Sequence, residues 1–105
     1  MLNRREFNRV KLDKPILATL ELITRSFSND LSLNDVVYVH VVDISAGGLR
    51  FISKVELFVN FLANYKIHLT LNNNDLVFLG KIIRKTKIKN SYYEYGIRFE
   101  FDLVI

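Results

Sequence analysis

The strongest constraint on the fold of this chain is an alternation of apolar and polar residues with a period of two. From Tyr65 to Leu71 every second side chain is apolar, and Lys, His and Thr occupy the positions between. The same alternation recurs at Ile16–Ile23, where Ile16, Ala18, Leu20 and Leu22 share one face, and again at Tyr93–Phe101. Successive side chains of a strand point to opposite faces, so this period indicates strands with one buried face.

Three further strands are predicted from composition and from the turn signals around them. Val36–Ile44 is almost continuously apolar and β-branched, which predicts a strand buried on both faces. Leu49–Ser53 is a short returning strand, and Leu76–Lys89 is a long strand bent near Gly80. The polar or glycine-containing segments between strands predict loops and turns, and these are Ser26–Asp35, Gly47–Gly48 (with positive φ), Asn72–Asp75 and Asn90–Ser91.

Six antiparallel strands joined by tight turns predict a small all-β barrel with a split or Greek-key-like arrangement, because closure leaves no exposed strand edge. Val55–Asn64 has apolar residues at helical spacing but many poor helix formers, so we expect a short helix or an irregular connection there. The 105 residues predict one domain, with residues 1–14 as a mobile arm and residues 15–105 as the barrel. No C-terminal helix is expected within the chain.

Charge and cysteine content narrow the classes of function. The net charge is +4, and the basic residues concentrate in residues 1–14 and in Lys81–Lys89, which favours a partner with a few negative charges. The absence of Cys excludes disulfides, thiolate nucleophiles and Cys-based zinc sites. Because the sequence has neither a secretory signal nor an apolar run of roughly 20 residues, we expect a cytoplasmic protein without membrane insertion.

Two short segments carry the chemistry of a nucleotide-binding site. The first holds Arg4, Arg5 and Arg9, whose guanidinium groups can bind phosphate or the edge of guanine through two parallel hydrogen bonds. The second is Asp43-Ile44-Ser45-Ala46-Gly47-Gly48, which supplies a carboxylate, a hydroxyl and two glycines at the end of a strand. Each segment alone has an ordinary explanation, as a solvated arm or as an Asx-type turn.

The order and context of these segments resemble the PilZ domain, a family of receptors for the bacterial second messenger cyclic di-GMP. The resemblance covers nearly the whole chain and depends on Arg5-x-x-x-Arg9 and on Asp43-x-Ser45-x-x-Gly48. Gly80-Lys81-Ile82-Ile83-Arg84 and Gly96-Ile97-Arg98-Phe99 support it more loosely. It implies a six-stranded barrel, an arginine segment that wraps over the ligand, and no catalytic activity or cofactor.

The chemistry of the residues suits this ligand. Cyclic di-GMP has two phosphodiester anions for Arg5 and Arg9, and each guanine has N1–H and N2–H donors for a carboxylate such as Asp43. Ser45 can bond to a phosphate or to a guanine edge, and Gly47 and Gly48 permit the ligand to approach the main chain. In the PilZ family an arginine directly before the pair, here Arg4, favours an intercalated dimer of the ligand, so we expect two molecules per domain.

Other candidate sites are weaker. His40 and His68 lie in strand patterns without Cys or acidic neighbours, so no metal site is expected. Ser45 lacks the surroundings of a nucleophile. The aromatic stripe of Tyr93, Tyr95, Phe99 and Phe101 is interpreted as core, and Lys85, Lys87 and Lys89 as a solvated strand edge.

Two other functions stay open at this point. One is a protein-interaction adaptor on the same fold that binds no ligand, and the other is a small barrel that binds single-stranded nucleic acid through basic and aromatic residues. A receptor would pass its signal to an effector protein or a fused domain. Family resemblance favours motility, or exopolysaccharide synthesis and biofilm formation, as the output.

Overall fold

The computed structural model describes residues 10–23, 36–57, 59 and 63–100, and these form a closed antiparallel barrel. Its strands are β1 (Val10–Leu22), β2 (Val36–Ile44), β3 (Gly48–Ser53), β4 (Tyr65–Leu71), β5 (Asn74–Ile88) and β6 (Tyr92–Phe99). The hydrogen-bonded order is β1-β2-β3-β6-β5-β4, and β4 pairs back onto β1. The predicted all-β, six-stranded barrel is confirmed, because each strand finds a partner on both sides over part of its length.

The barrel encloses one apolar core built from alternate residues of every strand. At its centre the rings of Phe51 and Tyr95 stack with centroids 5.3 Å apart, and both side chains are fully buried. Tyr95, Phe99 and the partly buried Tyr93 are therefore core residues, as predicted, whereas Phe101 lies outside the described residues. The other core side chains are Ala18, Leu20, Leu22, Val37, Val39, Val41, Leu49, Leu57, Ala63, Tyr65, Ile67, Leu69, Ile82 and Ile97.

The prediction that β2 is buried on both faces is wrong. Its burial alternates: Val37, Val39 and Val41 are buried, whereas Val36 and Tyr38 are 51% and 66% exposed. Side chains of a single-layer barrel face either the core or the outside, and no second layer of described residues covers this strand. The β-branched composition of β2 reflects strand propensity on its outer face as well as burial on its inner face.

β1 begins at Val10, six residues before the predicted start at Ile16. Val10 and Lys11 pair with Ile44 and Asp43, and regular pairing resumes at Ile16 after a shift in register. Pro15, which has no N–H to donate, lies within this irregular stretch. The alternation visible in the sequence starts only where the regular pairing starts, which explains why the first part of the strand was missed.

Two of the predicted turns lie where the sequence placed them, except that Asn74 and Asp75 already belong to β5. Asn72 and Asn73 both have positive φ (52° and 66°) between β4 and β5, and Asn90 and Ser91 (63° and 65°) lie in a single 3-10 turn, Lys89–Ser91, between β5 and β6. The register of β5 shifts between Ile82 and Arg84, close to the bend expected near Gly80.

The connection between β3 and β4 is described only in part. Within Val55–Asn64 none of the described residues is helical, which agrees with the irregular alternative. The backbone N–H of Leu57 donates to the buried Tyr95 hydroxyl at 2.6 Å, so this connection is tied to the core. Across the part of the chain that the structure describes, no helix has the length and apolar character needed to cross a membrane.

Candidate functional site

The turn between β2 and β3 forms one rim of the barrel. The Ser45 N–H donates to the Gly48 carbonyl at 2.8 Å, and the Ser45 hydroxyl donates to the same oxygen at 3.3 Å. The Gly47 N–H donates back to the Ser45 hydroxyl at 3.3 Å. Ser45 therefore closes the turn with its side chain, and both Ser45 and Gly47 remain partly exposed at the rim.

The two glycines of this turn do not have the backbone conformation predicted from the sequence. Neither has positive φ, so the prediction of a left-handed turn at Gly47–Gly48 is wrong. A Cβ on Gly48 would overlap the carbonyl oxygen of Ile97, which identifies close packing of β3 on β6 as the reason for glycine at this position. The Gly47 carbonyl accepts the Phe99 N–H at 2.9 Å, so the turn is fixed to β6 as well.

Asp43 lies just before the turn and is ion-paired within the structure. Its side chain is 2% exposed, and Oδ2 accepts a hydrogen bond from Nε of Arg50 at 2.6 Å and is ion-paired with Nη2 of the same residue at 2.5 Å. The two residues face each other across the β2–β3 ladder. This hydrogen bond is the main cause that raises the pKa of Arg50 above its usual value. Asp43 was predicted from the sequence as a site residue, whereas its partner Arg50 was not.

Arg50 also approaches a second carboxylate. Its Nη1 lies 3.8 Å from Oε2 of Glu94, which belongs to the neighbouring strand β6. The Arg50 side chain is 31% exposed and that of Glu94 is 29% exposed, so both reach the outer surface of the barrel. The Arg50 guanidinium thus lies between the buried carboxylate of Asp43 and the partly exposed carboxylate of Glu94.

The arginines predicted to bind the ligand, Arg4, Arg5 and Arg9, lie outside the described residues. The structure does describe where their segment is attached. Val10 pairs with Ile44, and Lys11 pairs with Asp43. The described part of the chain therefore begins, at Val10, beside the β2–β3 turn.

Further cations flank the turn on the outer surface. Arg98 pairs with Gly48, and Arg84 pairs with Gly96, which itself pairs with Arg50. Directly paired residues of neighbouring strands point to the same face, and both Arg84 and Arg98 are exposed. These arginines add positive charge beside Ser45–Gly48. Their position follows from strand register, which the sequence analysis did not predict.

An open hollow of about 560 Å³ continues along the same outer surface. His40 and Ile52, a directly paired couple of β2 and β3, line it together with two tyrosines, Tyr38 and Tyr92. Lys54 also contributes, with Nζ 5.6 Å from the centroid of the Tyr92 ring. Its remaining lining residues are Pro15, Ser53 and Val55.

The other candidates have local structural explanations. His40 is exposed, and His68 is 47% exposed with Nε2 3.7 Å from Asp75. Among the described residues, no three His, Cys, Asp or Glu side chains are grouped as metal ligands. Lys85 differs from the predicted solvated edge, because it is partly buried and ion-paired with Glu56 at 2.6 Å, while Lys87 is exposed.

Comparisons with known proteins support one family. A family model described as the PilZ domain matches residues 3–104. Among solved structures, the PilZ domain with c-di-GMP of YcgR from Escherichia coli is similar, with a TM-score of 0.59 and 18% sequence identity. The alignment covers 92% of this chain and 78% of that chain, and at this identity it shows a shared fold. No curated protein matches the sequence.

Proposed function

The chain belongs to the PilZ domain family, as the resemblance of its two motifs indicated, and on this premise we propose that it is a non-enzymatic receptor for cyclic di-GMP. The observation that carries the proposal is the match over residues 3–104, which includes both the arginine segment and the Asp43–Gly48 motif. The likeness of the barrel to a PilZ domain with c-di-GMP is consistent with it.

The attachment of the arginine segment supports a joint site. Because Val10 pairs with Ile44, a guanidinium from the preceding residues needs to span only a short distance to reach the β2–β3 turn. Arg5 and Arg9 would bind the phosphodiesters and the guanine edges or faces, through charge-assisted hydrogen bonds and stacking. Ligand binding would order the segment across the barrel surface and create a new face for an effector.

The rim supplies the complementary acceptors. The Asp43 carboxylate suits the N1–H and N2–H donors of guanine, and the Ser45 hydroxyl lies at the exposed turn. Gly47 and Gly48 keep the turn free of large side chains, so a planar base can approach its backbone. Arg98, beside Gly48 on the outer surface, adds positive charge that offsets the two anions of the ligand.

Arg4 supports binding of two ligand molecules per domain. An intercalated dimer brings four phosphate charges close together, and a third guanidinium reduces their mutual repulsion. We propose that the bound form is this dimer. The bound receptor would act in the cytoplasm on an effector protein or a fused domain that controls motility or exopolysaccharide synthesis.

Isothermal titration calorimetry with cyclic di-GMP tests the proposal, with GTP and cyclic di-AMP as controls. We expect saturable binding of cyclic di-GMP and much weaker binding of the two controls. No heat with cyclic di-GMP would contradict the receptor function and would leave the ligand-free adaptor on the same fold. Binding of single-stranded oligonucleotides that weakens steeply with salt, without competition by cyclic di-GMP, would favour the nucleic-acid alternative.

A further inference from the structure

The carboxylate expected to bind guanine already holds a group with the same hydrogen-bonding pattern. Arg50 donates a hydrogen bond from Nε to Oδ2 of Asp43, and the neighbouring nitrogen Nη2 is ion-paired with the same oxygen at 2.5 Å. A guanine base presents two neighbouring donors, N1–H and N2–H, along one edge. The guanidinium fork and the guanine edge therefore compete for the same acceptor.

The exposure of the two residues indicates how they meet a ligand. Asp43 is 2% exposed, whereas the Arg50 side chain is 31% exposed. A guanine that arrives from solvent approaches a carboxylate whose Oδ2 is already paired with the more exposed guanidinium. Pairing of the base with that oxygen requires Arg50 to move or to give up at least one of its hydrogen bonds.

A second acceptor for Arg50 lies within reach. Glu94 is on the adjacent strand β6, and its Oε2 is 3.8 Å from Nη1 of Arg50. That distance is beyond a hydrogen bond but short enough for a small rotation of the side chain to close. Glu94 pairs with Ile52 on one side and with Thr86 on the other, so it lies on the outer surface two strands from Asp43.

We propose that Arg50 is an internal competitor for guanine at Asp43, and that it transfers to Glu94 when the ligand binds. This inference rests on the proposed cyclic di-GMP function of the same site. The competitor keeps the buried carboxylate neutralised in the absence of ligand, where an unpaired charge would be costly. Because Arg50 must leave Asp43, the exchange lowers the affinity for the ligand, and it also changes the charge pairing of Glu94 on β6.

A double-mutant cycle measured by calorimetry with cyclic di-GMP tests the transfer. Removal of the competitor in Arg50→Ala should tighten binding about tenfold, which corresponds to about 1.4 kcal/mol, because the base no longer has to displace a charged hydrogen-bond partner. Glu94→Gln should weaken binding about two- to fivefold, because the displaced guanidinium loses a partner of surface ion-pair strength. In the Arg50→Ala background, Glu94→Gln should have no effect.

Matched variants keep the outcomes separate. Glu21→Gln removes another ion-paired surface glutamate, bonded to Lys66 at 3.2 Å on the far side of β1, and should leave binding unchanged. Arg50→Met keeps the length of the side chain without a donor toward Asp43, and it replaces Arg50→Ala if thermal melts show that the alanine variant does not fold. Weaker binding by these Arg50 variants, or an equal effect of Glu94→Gln in both backgrounds, would overturn the inference. Absence of binding by the unaltered chain would instead contradict the proposed function itself.

Discussion

Val10 and Ile44 are direct partners across the β1–β2 ladder. Val10 directly follows Arg9 in the sequence and Ile44 directly follows Asp43, so the pairing links positions next to both motifs, although Arg9 and Asp43 are 34 positions apart. This depends on the early start of β1, because a strand that started at Ile16 would have its first pair with Val41 instead.

Loss of the arginine pair should abolish most of the binding. Arg5→Ala/Arg9→Ala removes two guanidinium groups, each proposed to donate to an anion, and each such hydrogen bond is worth roughly 1.5–3 kcal/mol. We expect at least a hundredfold weaker binding of cyclic di-GMP by calorimetry. Lys87→Ala/Lys89→Ala removes the same charge from the distant end of the β5–β6 hairpin and should change affinity little. Equal affinities of the two double variants would disprove the site assignment.

The stoichiometry of binding should depend on Arg4. The unaltered chain is expected to bind two molecules of cyclic di-GMP per domain, and Arg4→Ala is expected to bind one, because two guanidinium groups instead of three then offset the four phosphate charges. Calorimetry gives both values directly. A stoichiometry near one for the unaltered chain would exclude the intercalated dimer, and Arg4→Lys, which keeps the charge, serves as the control.

Gly48→Ala should destabilise the barrel. The added methyl group would overlap the Ile97 carbonyl, so β3 and β6 must separate locally, at a cost of about 1–3 kcal/mol or more. Gly96→Ala is the matched control, since its new Cβ would lie 3.4 Å from the Arg84 Cβ and has room to fit. Urea denaturation measures the difference, and equal midpoints for the two variants would contradict the packing explanation.

The Tyr95 hydroxyl should contribute to stability through the β3–β4 connection. Tyr95→Phe leaves the buried N–H of Leu57 without its acceptor, which costs roughly 1–3 kcal/mol of the free energy of unfolding. Tyr93→Phe removes a hydroxyl that donates to the exposed Glu56 at 3.2 Å, and its effect should stay within about 0.5 kcal/mol. Thermal unfolding compares the two, and a larger effect at Tyr93 would refute the prediction.

Stability should fall in alkaline solution because of buried tyrosines. Burial raises the pKa of Tyr65 and of Tyr95 above the ordinary value of 10.0. Above pH 10 the unfolded chain therefore loses these protons first, so the unfolded state binds fewer protons and the free energy of unfolding decreases as pH rises. Denaturation at pH 9 and pH 11 should show the decrease, and Tyr65→Phe should reduce its size. An unchanged slope in that variant would assign the effect to other groups.

The strands and their bounds could be predicted where the sequence shows one clear pattern of apolar and polar residues. β4 was predicted with its observed bounds because its apolar and polar residues alternate without interruption. β2 also had the right bounds, but its continuous β-branched run could not distinguish a strand buried on both faces from one that exposes Val36 and Tyr38. The fold class followed from the number of strands, whereas the faces required the three-dimensional arrangement.

The composition of the site was harder to predict than its location. Asp43 and Ser45 could be recognised as a motif, and both lie at the rim. The Arg50 partner depends on a shift in the β2–β3 register between Val41 and Asp43, which no pattern in the sequence indicates. Glycine is needed at position 48 because β3 and β6 lie close together there. The preference of glycine for positive φ therefore led to the wrong explanation.

The uneven pairing of β1 has a mechanical consequence. Among the described residues, Val10 and Lys11 are paired with β2 alone, whereas Ala18–Glu21 are held by β2 and β4 together. A pulling force on the start of β1 would separate Val10 and Lys11 from β2 as far as the irregular stretch around Pro15. The separation would stop at Ala18–Glu21, which β2 and β4 hold together. The first residues of β1 can thus separate from β2 while the closed ring of hydrogen bonds behind them stays intact.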